Sequence, residues 1–202
     1  MLFDHLVAGA TTLQEAQAHV EAALGLPMQP GGAHSVFHTH NALLGLGDGL
    51  YLEAIAPDPS RPQPHRPRWY DLDRFTGPAR LSGWACCVPD MGAALPDMPA
   101  GLGAPVDVAR GPLDWRMAVA QDGTTPFDNL WPALVEWPVG MNPAARLNPT
   151  GARLLRLTLV HPRALRLEAA LRRHLADPRV AVETGPVAMR AAFDTPHGPR
   201  AL

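Results

Sequence analysis

Asn41-Ala42-Leu43-Leu44-Gly45-Leu46-Gly47-Asp48-Gly49-Leu50-Tyr51-Leu52-Glu53-Ala54-Ile55-Ala56 is the stretch on which the fold turns. Asp48-Gly49 separates two apolar runs, and both residues tolerate positive φ, so the pattern predicts a hairpin joining His38–Leu46 to Leu50–Ala56. Glu53 lies inside the second run. A buried carboxylate without a partner costs several kcal/mol, so some group must face it.

Upstream, Leu2 to Ala8 reads as a buried strand. Thr12-Leu13-Gln14-Glu15 has the capping-box pattern, in which the Thr and Glu side chains satisfy each other's free amides. Leu13, Ala16, Val20, Ala23 and Leu24 share one helical face, and Gly25 suits a left-handed terminator, predicting a helix over 13–24. Downstream, the proline-dense Pro57–Pro67 lacks amide donors and predicts an extended connection. The pattern then restarts, with strands at Leu81–Val88, Val106–Arg110, Trp115–Ala120 and Leu130–Trp137. The helix at Asp90–Leu95 is short, because Pro96, Pro99 and several glycines interrupt it. A third restart gives a strand at Leu154–Val160, a helix carrying Ala164, Leu167, Leu171 and Leu175, then Val180–Glu183 and Val187–Phe193. The organisation read from this is a first unit over 1–57, a Pro-rich linker over 58–80, a second unit over 81–150, and a partial third β-α-β unit over 151–202 packed on the others.

A chain of 202 residues can bury a core without cross-links. Its formal net charge of −2 and lack of any basic run exclude nucleic acid as the expected partner. Lysine is absent and arginine carries all the non-histidine positive charge, which reads as coding bias. Cys86 and Cys87 are strand neighbours pointing to opposite faces. No disulfide is expected, which fits a reducing cytoplasm. The opening Met1-Leu2-Phe3-Asp4-His5 shows no leader pattern, and no stretch has the length of a membrane span.

Aligning Leu2–Val7 with Leu81–Cys86, and Tyr51–Ile55 with Leu134–Pro138, superposes the first and last strands of two units. His5 then matches Trp84, and Glu53 matches Glu136. Two carboxylates and an imidazole on one concave sheet would suit a divalent ion. The alternative is that His5 is a core histidine and each Glu pairs with an arginine such as Arg116, Arg156 or Arg190.

Phe3-Asp4-His5-Leu6-Val7 at the start, with Thr39–Pro57 and the later Pro126-Phe127 and Val135-Glu136-Trp137, resembles the glyoxalase-like domain family of the vicinal oxygen chelate superfamily. The likeness is strongest over 1–57 and weakest beyond about 150. It implies an α+β fold of repeated βαβββ units, whose mixed sheets curl into half-barrels with helices outside. It also implies a site fed by the first and fourth strands of each unit, here His5, Glu53, Trp84 and Glu136. The family's chemistry further implies metal-assisted lyase, isomerase or dioxygenase activity on a small oxygenated metabolite. On that reading His5, Glu53 and Glu136 bind one divalent ion (zinc, nickel, manganese or iron), and Glu53 and Glu136 move protons. Trp84 has no lone pair to offer, which favours the rival: a metal-free protein that binds or sequesters a small molecule.

His40 and Asn41 begin the hairpin strand and are candidates to bind substrate or orient His5. His34, His38 and His40 read as a surface cluster. Trp84, Trp115, Phe127, Trp131 and Trp137 could wall a pocket or pack a core. Arg116 could pair with Glu136 or clamp a substrate carboxylate. An Asp4–His5 dyad is set aside, since adjacent strand residues point to opposite faces. Pairing of half-barrels within one chain or across a homodimer is left open.

Overall fold

The computed structural model describes residues 1–202. β1 spans Leu2–Gly9 and leads into α1, Leu13–Leu24. Thr12 and Glu15 close the expected capping box, and Gly25 ends the helix at φ 70° with its amide on the Glu21 carbonyl. β2 (Gln29–His34), β3 (Thr39–Gly45) and β4 (Tyr51–Pro57) complete the first unit. The β3–β4 turn takes positive φ at Gly47, Asp48 and Gly49.

β5 (Arg80–Cys87), the four-residue α2 (Met91–Ala94), β6 (Ala104–Arg110), β7 (Leu113–Val119) and β8 (Ala133–Glu136) repeat the order. Together the two sets form one eight-stranded sheet, ordered β2-β3-β4-β1-β5-β8-β7-β6. β1 runs parallel to β4 and β5 parallel to β8, while β1 and β5 meet antiparallel at the centre. Each half is therefore a βαβββ unit, and the halves are related by an approximate two-fold through the β1–β5 pair. This is the α+β, curled-sheet architecture that the resemblance implied.

The sheet curls until the edge strands β2 and β6 approach each other. At this seam the Arg110 stem crosses Gly32, where a Cβ would lie 3.0 Å from Arg110 Cγ. The concave face buries Val7, Ile55, Ala85, Val108, Leu113, Trp115, Met117, Val119, Ala133 and Val135. The convex face buries Leu6, Leu44, Leu52, Trp84 and Leu134 beneath α1 and the last part of the chain.

That last part is a second sheet. β9 (Arg153–Val160), α3 (Ala164–Arg172), β10 (Val180–Glu183), β11 (Ala188–Thr195) and β12 (Gly198–Ala201) give the order β10-β9-β11-β12. Here β9 is an interior strand, as β1 and β5 are in the larger sheet, with β10 parallel on one side and β11 antiparallel on the other. Leu154, Leu157, Leu159, Leu167, Leu171 and Phe193 join the same convex-side core as Trp84 and Trp131. The twelve-residue α1 covers its half, but the four-residue α2 is too short to cover the other. The second sheet supplies the missing layer, which burial of large apolar side chains at roughly 1.5–3 kcal/mol each favours.

The Pro-rich segment after β4 does more than connect. A 3₁₀ turn at Trp69–Arg74 sends Trp69, Tyr70 and Leu72 into the concave face, where they pack as a plug. Arg68 is buried and clamps the turn: its guanidinium lies 2.6 Å from Asp73 Oδ1, and its amide donates to Asp73 Oδ2 at 2.8 Å. Gly83, on the inner face of β5, leaves room for the plug, since a Cβ there would sit 2.6 Å from Tyr70 Cδ1.

Candidate functional site

Under the plug lies a chamber lined by His5, His34, Tyr51, Glu53, Trp69, Tyr70, Arg110, Trp115, Met117 and Trp137. Its free volume is about 20 Å³, roughly one water. Tyr70 also lines a larger cavity of about 370 Å³ between the plug, β5 and β11, so one ring borders both spaces.

β1 delivers the central pair. A bulge between Phe3 and His5 interrupts its pairing with β5. Phe3 joins the convex core and Asp4 and His5 both turn to the chamber side, where Asp4 Oδ1 lies 2.7 Å from His5 Nδ1. The dyad set aside in the sequence reading is thus present, because strict strand alternation fails at the extra residue. Asp4 Oδ2 accepts from Trp137 Nε1 at 3.0 Å and Asn142 Nδ2 at 2.9 Å. This donor set holds Asp4 as the acceptor of His5 Nδ1–H, which leaves Nε2 as the acceptor on the chamber side. Nε2 lies 3.2 Å from the Tyr70 hydroxyl and 3.6 Å from Glu53 Oε2. The Tyr51 ring stacks on His5 at 4.6 Å. Burial, then the charges of Glu53 and Asp4, push the Tyr70 hydroxyl well above the usual tyrosine range, so it stays a proton donor. Tyr51 is raised in the same way, by burial first and then by Asp4 and Glu53.

β3 and β2 orient Glu53. Asn41 Nδ2 donates to Glu53 Oε1 and its Oδ1 accepts from the Gly32 amide at 2.9 Å. Gly31 makes this approach feasible, because a Cβ there would fall 2.0 Å from Asn41 Oδ1. His34 Nδ1 bonds Thr39 Oγ1 at 2.9 Å. Burial, then the nearby Arg110 guanidinium, hold the His34 pKa well below the ordinary histidine value, so the ring is neutral.

A family profile described as "Glyoxalase-like domain" matches residues 3–175. The chain belongs to the glyoxalase-like domain family. Among solved structures, a hypothetical protein from Staphylococcus aureus is similar at 10% identity and TM-score 0.65, covering 92% of this chain and 86% of that one. Methylmalonyl-CoA epimerase from Streptomyces coelicolor (E43L, in complex with 2-nitronate-propionyl-CoA) matches at 16% identity and TM-score 0.48, over 70% of this chain and 97% of that one. The first likeness is one of fold. No curated relative matches.

Against the family expectation, His5, Glu53, Asn41, Trp115 and Trp137 come together and the other candidates do not. Glu136 sits one residue out of phase. Val135 faces the chamber, whereas Glu136 faces outward, ion-paired with Arg116 and accepting the Met91 amide at 2.6 Å. Arg116, and behind it the Met91 amide, hold the Glu136 carboxyl below the usual glutamate range. This is the arginine-paired alternative, so neither Glu136 nor Arg116 reaches the chamber. Trp84 is fully buried in the convex core, its Nε1 donating to the Leu130 carbonyl at 2.9 Å. Phe127 packs on that side too, against Trp131 and His161. His40 alternates away from Asn41, and its Nε2 is buried without a partner. His34, expected at the surface, is 2% exposed inside the chamber.

The donor set bears on the metal. The inward positions of β5 and β8 include Ala85, Ala133 and Val135, so the second unit offers no imidazole or carboxylate to match His5 and Glu53. No group of three or more His, Cys, Asp or Glu side chains is placed to hold an ion. His34 also lines the chamber, but its Nδ1 is engaged by Thr39 and it is not gathered with His5 and Glu53 around one point. The two that remain fall short of the three or four ligands of zinc sites and of the two-His-one-carboxylate set of iron oxygenases. These residues do not fit a metal held between the two halves. Tyr70, Trp69 and Arg110 went unnoticed in the sequence, the first two because they lie in a segment read as a connection.

Proposed function

We propose that this glyoxalase-like protein is an enzyme that moves a proton on a small oxygenated metabolite, in an isomerase- or lyase-type reaction, with His5 as the base. The observation that carries this reading is the buried Asp4–His5 pair, with Nε2 turned into the chamber toward the Tyr70 hydroxyl and Glu53. His5 Nε2 takes a proton from carbon next to a carbonyl, and Asp4 stabilises the imidazolium that forms. The Tyr70 hydroxyl, released from His5 by the substrate, donates to the oxygen on which charge develops. Glu53, held by Asn41, is the second group able to return a proton. Because the free volume is so small, entry requires the plug to shift, and the larger cavity bordered by Tyr70 is the natural route.

The test is proton exchange in D₂O, followed by NMR, over a panel of short hydroxycarbonyl and oxocarbonyl compounds. At least one should exchange its activated C–H with wild-type protein, and His5→Gln should slow this by about 10²–10⁴-fold, the usual weight of a general base. Chelator should leave the rate unchanged. A rate lost to chelator and restored by one divalent ion would return the metal-assisted reading. Binding of panel members without exchange would favour the sequestering one, which the tryptophan walls of the chamber also suit.

A further inference from the structure

Arg110 is 8% exposed and lines the chamber; its guanidinium has no hydrogen-bond partner within the protein and no carboxylate within 4 Å, and its nitrogens keep some contact with solvent. It stands 5.9 Å from the Trp115 ring centroid, an interaction that does not replace an anion. Every other charged group deep in the chamber has its partners: Asp4 has His5, Trp137 and Asn142, and Glu53 has Asn41. A guanidinium offers five N–H donors in a planar fork that matches a carboxylate, and with no acceptor inside the protein these donors are open to a ligand. The chain makes room for it, for the stem passes over Gly32, where any side chain would crowd it. Trp69 adds an independent sign. It lines the same chamber, and its indole N–H is buried with no acceptor. Two donors without acceptors beside one chamber call for a ligand rich in negatively charged oxygen.

We propose that Arg110 is the anchor for a carboxylate, so that the ligand is a short 2-oxo or 2-hydroxy carboxylate docked with its acid group between Trp115 and Trp69. The anchoring needs the chamber and the shift of the plug that admits a ligand, but no proton transfer. Placement of the reacting carbon beside His5 rests on the proton-transfer reading above. Arg–carboxylate pairing is bidentate and planar, so it fixes orientation as well as affinity, and the neighbouring carbonyl or hydroxyl oxygen is left to Tyr70.

The experiment titrates pyruvate, glycolate and their neutral amides, pyruvamide and glycolamide, into wild type, Arg110→Met, Arg110→Lys and His5→Gln by calorimetry, with thermal melts of each protein. The acids should bind wild type and the amides at least roughly tenfold more weakly, given the strength of charged hydrogen bonds. Arg110→Met should lose the acid preference yet melt close to wild type, because it keeps an apolar stem over Gly32 and breaks no hydrogen bond or ion pair within the protein. Arg110→Lys should keep part of the preference, and His5→Gln should keep all of it. Equal binding of acids and amides, or an Arg110→Met preference like that of wild type, would overturn the proposal. So would a lowered melting point in Arg110→Met with no acid preference in wild type, the signature of a purely structural side chain. Acid binding retained without deuterium exchange would instead remove the proton-transfer reading and leave the anchor standing.

Discussion

Residues with no side chain shape the site as much as those with one. Gly31 has no chemistry of its own, yet a methyl group there would displace Asn41 and with it the hydrogen bond that orients Glu53. Gly31→Ala should therefore cost about 1–3 kcal/mol through overpacking, read as a lowered denaturation midpoint. It should also disturb Glu53, so that any exchange activity falls further than stability alone predicts. A variant with wild-type stability and activity would show that the strand edge yields freely. His34 carries a pH signature at the same scale. Its folded-state pKa is depressed, so the folded protein resists protonation that the unfolded chain accepts. Stability is then full above the unfolded histidine value of about 6.5 and declines as pH falls below it. Melting temperature measured from pH 8 to 5 should show this decline, and His34→Gln should flatten it. An unchanged profile in the variant would assign the decline to other groups.

At the level of elements, periodicity made most of the fold legible. The capping box at Thr12, the Asp48-Gly49 turn and the alternating runs of the central strands all agree with the structure, because local preference and burial point the same way there. β2 was missed because Gln29-Pro30-Gly31-Gly32 reads as loop. It survives as an edge strand with a register shift between Pro30 and Gly32, which relaxes the demands on its sequence. The site was legible only in its first unit. His5 and Glu53 alternate as expected, but a one-residue error of phase sent Trp84 and Glu136 to the wrong face, and no single-sequence signal announces the bulge that joins Asp4 to His5. The 69–74 turn was hidden by the prolines around it. Its hold depends on Arg68 and Asp73. Burial pushes the Asp73 carboxyl up, but the Arg68 amide, Gln63 and the Arg68 guanidinium together keep it below its ordinary value. Arg68→Met should lower hydrogen-exchange protection over 66–75 by about tenfold or more, in line with the loss of a buried charged partner. Protection in β3 and β4 should stay unchanged, and equal loss throughout would make Arg68 a global support.

Over the whole molecule, the duplicated barrel is finished by a sheet of different topology. Because Trp84, Leu134 and Trp131 are buried in the core that β9, β11 and α3 complete, a chain ending at residue 150 would leave them in water. Such a truncation should bind a hydrophobic dye and lose its cooperative melt, whereas a stable, monomeric 1–150 fragment would show that α2 and its flanking loops suffice. No helix is long and apolar enough to cross a membrane. The barrel itself is a split ring. β2 and β6 meet side by side without joining in a ladder, and Arg110 bridges the slit by lying across a glycine rather than by backbone pairing. Widening the lumen therefore breaks no interstrand hydrogen bond at that slit, so the cylinder can dilate there like a spring clip around an incoming guest while the paired strands opposite keep their register.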